Sequence, residues 1–345
     1  MKRVLVLCVM MVTISAARGA DIREQAQIPA FMVEIGPAMR VVAFSPDGKL
    51  LVTASPGGRG VNFGQGRTNL WNPATGENLA PLNGNFMNRS ILEDGDCLGA
   101  LSFSPDGKTL AGAHWDEVCL WDVKTQKLTG RLKESKYVRS MTFSADGTML
   151  ATARAEEGDV QIWGVKGEKV VATLKAKGPG SGVLAFSGDG KSLAVSYEDG
   201  TIRVWDVKAE RETARLGLRK VRALAFEPGD RTVVSALASG MVCRWDFTTG
   251  KTTPKELATT RMKVEGEPFG LAFGPDLTTL AMAHERGLTI CDTKTGARIS
   301  NFEAKMRPGV FASSPDGKWL AAELDDDKAK PGWIQVWAVG KPADK

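Results

Sequence analysis

Apolar positions come in short alternating runs broken by Asp-Gly pairs along most of the chain. The stretch from Val183 to Asp206 shows the pattern. Val183, Leu184 and Phe186 lead into Gly188, Asp189 and Gly190; Leu193 and Val195 lead into Glu198, Asp199 and Gly200; Ile202, Val204 and Trp205 close the unit. Asp and Gly tolerate the positive φ of tight hairpin turns, so the pattern predicts a small antiparallel sheet. In its third strand Ile202 and Val204 share one face and Arg203 and Trp205 the other, so both faces need cover. A sheet this small must find that cover in neighbours.

The unit recurs. A Phe ends the first strand at Phe44, Phe103, Phe143, Phe186, Phe226 and Phe273, with Ser313 in the seventh place, at spacings of 59, 40, 43, 40, 47 and 40 residues. A Pro-Asp-Gly-like turn follows each. A third-strand marker follows at Trp71, Trp121, Trp163, Trp205, Trp245, Cys291 and Trp337. A period near forty residues is the length of a four-stranded propeller blade. With pairs such as Trp121-Asp122, Trp205-Asp206 and Trp245-Asp246, the chain resembles the WD-repeat propellers from about Phe31 to Val339.

The resemblance implies an all-β, seven-bladed β-propeller of four-stranded antiparallel blades that binds a protein or peptide. Members often carry a Gly-His pair before the first strand, its His bonded to a turn Asp. No His precedes a first strand here, so that network is expected to be missing, with Asp159 and Asp199 acting as turn formers. Cys291 and Ser313 each replace a marker, so blades six and seven are expected to pack less tightly.

Phe31, Val33 and Ile35 alternate like a strand ahead of blade one, and no fourth strand follows Trp337. The N-terminal strand is therefore expected to complete blade seven and close the ring. Residues 28–340 form one domain on this reading, followed by a tail, 341–345.

Residues 1–17 read as a secretory signal: Lys2 and Arg3, an apolar run from Val4 to Ile14, then Ser15, Ala16 and Ala17. A polar leader, 18–27, comes next. The protein is expected to be exported, to a periplasm or beyond, with no stable membrane span once the signal is removed. Cys97, Cys119, Cys243 and Cys291 then remain; their positions discourage pairing, and buried free thiols are expected.

The net charge is +5, with two of its positive charges at Lys2 and Arg3, and 25% of residues are charged. That balance does not suggest nucleic acid, which calls for a concentrated basic face with stacking aromatics. A monomeric propeller without cofactor or metal is expected. Catalytic chemistry is hard to find: His114 and His284 end second strands of distant blades and read as surface or turn residues. Acidic loops at Asp94, Asp96 and Asp325 to Asp327 could hold Ca²⁺ but read as solvated.

Loop length points to binding. The insertions lie between second and third strands or between blades: residues 56–67, with Arg59, Phe63 and Arg67; residues 82–97, with Phe86 and Arg89; and Asp325 to Lys328. These connections emerge on one face, and blades seven, one and two become neighbours once the ring closes. Four residues before the Phe marker, Arg40, Arg139 and Arg222 would ring the channel mouth on that face, offering forked donors to an anion. The expected function is a non-catalytic scaffold for a protein or peptide. The alternative is an exported propeller enzyme, or a small-ligand or metal-binding protein, working at the channel mouth.

Overall fold

A computed structural model describes residues 29–36, 41–55, 67–81, 98–114, 117–134, 138–154, 158–176, 178, 180–247, 254–263, 268, 270–303, 307–325 and 332–339. The expected signal, leader and tail lie outside these residues. The described structure is strand throughout, apart from one 3₁₀ turn at Val165–Gly167.

The strands form seven antiparallel four-stranded sheets, as the repeat predicts. Blades one to six span 41–81, 98–133, 138–174, 181–217, 221–261 and 270–303, each pairing its strands in chain order. Blade seven contains Arg307–Ser313, Trp319–Asp325 and Gly332–Ala338, and its fourth strand is Pro29–Gly36, antiparallel to Gly332–Ala338 with Phe31 opposite Val336. First strands of successive blades contact one another all the way round, and those of blades one and seven meet. The ring is therefore closed by the N-terminal strand.

The hairpin after each first strand explains the recurrent Ser-Pro-Asp-Gly. In blade one Ser45 Oγ donates to Asp47 Oδ1 (2.6 Å), the Lys49 N–H donates to the same oxygen (3.1 Å), and the Leu50 N–H donates to Ser45 Oγ (2.9 Å). Ser104 with Asp106 and Ser314 with Asp316 repeat these bonds. The turn glycines Gly48, Gly107, Gly147, Gly190 and Gly317 sit at φ of 69 or 70°, which a β-carbon disfavours. Local bonds thus satisfy the turn without help from the core.

The core lies between blades. Leu132, from the outer strand of blade two, packs with Trp163 of blade three; Leu174 of blade three packs with Trp205 of blade four; Ala214 and Leu216 of blade four pack with Trp245 of blade five. Trp163, Trp205 and Trp245 thus each cover the outer strand of the preceding blade. In blade six Cys291 holds that place, fully buried beside Met262, and leaves the outer rim uncovered. Ala214 is 3% exposed, whereas Ala258, at the matching register position of blade five, is exposed. Blade seven keeps its seal: Phe311 lies against Gly270, and Trp337 meets Phe302 edge to face with ring centroids 6.4 Å apart.

Candidate interaction face

First strands begin, and second strands end, on the face that carries the long connections. Arg139, at the start of blade three's first strand, forms an ion pair with Glu198 in the second-to-third-strand turn of blade four. An anion arriving at Arg139 would compete with that carboxylate. Arg222 is half-buried at the equivalent place in blade five, a quarter-turn or more around the ring. Arg67 opens the third strand of blade one opposite Ser55. Arg40, Arg59, Phe63, Phe86 and Arg89 lie outside the described residues, as do most of the insertions in blades seven, one and two.

Beside Glu198 the structure reveals more than turn formation. Asp199 Oδ1 accepts from the Thr201 N–H (2.9 Å) and hydroxyl (2.6 Å), as a turn former should. Its other oxygen accepts from Arg203 Nη2 (2.6 Å), and the Arg203 guanidinium lies 4.2 Å from the Tyr197 ring centroid. The Arg203 side chain is only 3% exposed, so Asp199 serves as counter-ion to a buried cation, which would be costly unpaired. Three of its partners, the Thr201 hydroxyl and N–H and the Arg203 guanidinium, lower the Asp199 carboxyl against the opposing effect of burial, which is the largest single influence. Asp159 caps the nearby strand end, accepting from the Ala176 N–H (2.9 Å).

Blade three carries a different polar network. Glu134, in the connection before its first strand, is buried. It accepts from the Thr152 hydroxyl, from Trp163 Nε1 (3.2 Å) and from Arg154 Nε (3.3 Å). Trp163 Nε1 also donates to Thr152 Oγ1 (3.0 Å). Arg154 supplies the charge that compensates the buried carboxylate. Glu134 could have been found by asking which residue precedes each first strand, not only where His stands.

His284 also differs from expectation. It is 5% exposed, and its Nδ1 accepts from the Arg286 N–H (3.3 Å), which leaves Nε2 to donate to Thr289 Oγ1 (2.7 Å). Thr289 in turn donates to Asn301 Oδ1 (2.8 Å), so the imidazole ties three strand segments of blade six together. Strand pairing brings these residues, from three successive strands, into line. His114 ends the second strand of blade two.

Cys119, Cys243 and Cys291 are free and buried. Burial pushes the Cys119 thiol up to about 12, with Glu117 adding to it, and the Cys291 thiol up to about 11. Neither thiol is a nucleophile at neutral pH. Among the described residues no group of three His, Cys, Asp or Glu is placed to hold a metal. Nor, among them, is any helix long and apolar enough to cross a membrane.

The family model for the WD domain, G-beta repeat, matches residues 124–164 and 168–206, which run through blades two to four. The small ribosomal subunit protein RACK1z of Oryza sativa subsp. japonica is 31% identical over 123 residues, 33% of this chain and 31% of that protein. The match therefore spans about a third of the relative's length. Fold and similarity are together consistent with a protein-interaction scaffold. Two adjacent repeats match the family, and the same four-stranded unit recurs seven times around a closed ring: the chain is a WD-repeat, seven-bladed β-propeller.

Proposed function

We propose that this protein is an exported, non-catalytic scaffold that binds a protein or peptide through the loop-bearing face of blades seven, one and two. The supporting observation is adjacency. Ring closure sets the first strand of blade one between those of blades seven and two, so segments 56–66, 82–97 and 326–331 leave neighbouring blades. Loops spaced this way can engage one partner together, whereas loops on opposite blades could not. RACK1z is by name a protein of the small ribosomal subunit, a component of a large assembly, in keeping with a scaffold role. Export rests on the basic, apolar and small-residue succession in residues 1–17.

The test is affinity capture from the exported fraction with the full chain and with a variant lacking residues 57–66. A partner retained by the full chain and lost from the variant, while melting of the two proteins stays the same, is the expected result. Equal capture by both, or a protein that stays in the cytoplasm with residues 1–17 intact, overturns the reading.

A further inference from the structure

We propose that the outer edge of blade five is a second docking site, which takes an extended acidic peptide carrying a bulky apolar side chain. It is separate from the loop-bearing face. The outer strand Lys255–Arg261 ends its sheet, so one side of its backbone has no neighbouring strand. In blades two and three this edge is capped. Glu168, in the next blade's third-to-fourth-strand turn, accepts from the Arg131 N–H (3.3 Å), and Glu210 accepts from the Thr173 N–H (3.1 Å). Both caps sit at positive φ, 49 and 50°, a backbone that Glu seldom adopts.

Arg131, Thr173 and Thr259 share one register position, opposite Cys119, Gln161 and Cys243. The residue of blade six that matches Glu168 is Gly296, which has no carboxylate to offer Thr259. It lies against the Arg261 carbonyl, and with Lys294 it covers only the far end of the strand. A carbonyl from an added strand would therefore meet the Thr259 N–H where Glu168 and Glu210 stand in the other blades.

The side chains on the same strand are open too. Because Cys291 replaces Trp, Ala258 is exposed where its counterpart Ala214 is 3% exposed; Leu257 beside it is 50% exposed, like Val171 at the matching position of blade three. A bulky residue of the added strand would fill the space that a blade-six Trp would otherwise take. Charge selects the occupant. A second copy paired antiparallel about Ala258 would set Lys255 against Arg261 at both ends, and like charges facing each other across strands repel. An acidic peptide instead meets a cation at each end, while Glu256 beside Lys255 is engaged by the Thr259 hydroxyl.

The probe is a capped nine-residue peptide of alternating valine and threonine, with a central tryptophan and two aspartates at each end; its control carries lysines in place of the aspartates. Fluorescence anisotropy should show the acidic peptide binding at least about fivefold more tightly, with hydrogen exchange slowed in residues 255–261. Ala258→Trp, which fills the space from the strand itself, should abolish binding. Lys255→Glu with Arg261→Glu should reverse the preference between the peptides. The variant lacking residues 57–66 should bind as before, so the two proposals fail separately. No slowing of exchange in 255–261, equal binding of both peptides, or a dimer that Ala258→Trp dissolves overturns the proposal.

Discussion

Replacing blade tryptophans by phenylalanine should cost very different amounts at chemically identical positions. Trp163 Nε1 donates to Thr152 and Glu134, Trp71 Nε1 donates only to Thr53 Oγ1 (2.9 Å), and Trp245 Nε1 is buried with no partner among the described residues. Ser235, where blades one and three have their Thr, donates instead to the Cys243 carbonyl (3.4 Å). Each substitution removes similar apolar volume, a common loss of about 1–2 kcal/mol. The polar consequences diverge. Trp163→Phe leaves a buried carboxylate short of a donor, about 1.5–3 kcal/mol, whereas Trp245→Phe removes an unsatisfied donor and recovers about 1–3 kcal/mol. Trp163→Phe should therefore be the more destabilising by about 2.5–6 kcal/mol, with Trp71→Phe between them. Urea unfolding followed by near- and far-ultraviolet circular dichroism measures the order. In a Glu134→Ala background the excess cost at Trp163 should shrink, since that partner is already gone. Equal losses at the three sites, or a larger one at Trp245, would refute the reasoning.

Deleting residues 29–36 should lower the melting temperature far more than deleting 341–345, because it opens blade seven and uncovers the edge of Gly332–Ala338; calorimetry of both truncations decides it. Cys119, Cys243 and Cys291 should resist iodoacetamide at pH 8 in the folded protein and react in urea, as mass spectrometry of the labelled peptides would show. The turn carboxyls of Asp106 and Asp146, held below the usual 3.8 chiefly by Ser104 and Ser144, and that of Asp189, held down chiefly by the Lys191 N–H, bind protons less readily folded than unfolded. Their contribution is therefore complete above the unfolded value and is lost as pH falls below about 4 through the folded values. Melting between pH 3 and 7 should show an acid limb that flattens when Asp106, Asp146 and Asp189 are replaced together by Asn.

Blade count and ring closure were legible because each depends on short-range signals: Asp-Gly turns, a Trp every forty residues or so, and a spare strand at one end with a missing one at the other. The polar interior was less legible. Glu134 acts on residues of two strands that are 18 to 29 positions away, and nothing in its own neighbourhood marks it as buried. His284 looked exposed because it ends a strand; its burial depends on Thr289 and Asn301 arriving from the next two strands. Glu168 and Glu210 sit at positive φ in closely similar turns, Val165-Lys166-Gly167-Glu168 and Val207-Lys208-Ala209-Glu210, but the N–H groups they cap belong to the preceding blade, which the turn sequence does not show. Arg139 lies near the start of its first strand, but its partner Glu198 belongs to the next blade, where spacing within a repeat gives no guidance.

The repeat is held most uniformly near the hub and departs from itself toward the rim and the loop-bearing face. A first strand touches both neighbours in a closed ring, and its turn packs against the next: Pro46 lies against Gly107, Pro105 against Gly147 and Pro275 against Gly317. A misfit there strains two interfaces at once. A change in an outer strand or a third-strand marker alters only one interface, because energetic coupling in such arrays runs between nearest neighbours. Replacing a marker Trp by Cys291 loosens the junction of blades five and six while Arg244 still bridges it, bonded to Glu227 (2.9 Å) and to the Thr293 hydroxyl (2.9 Å). The ring thus stays closed while its rim becomes unequal from blade to blade. A partner reading seven near-identical units can tell them apart only by such departures, so the blade-specific features, and not the repeat itself, are where recognition can be encoded.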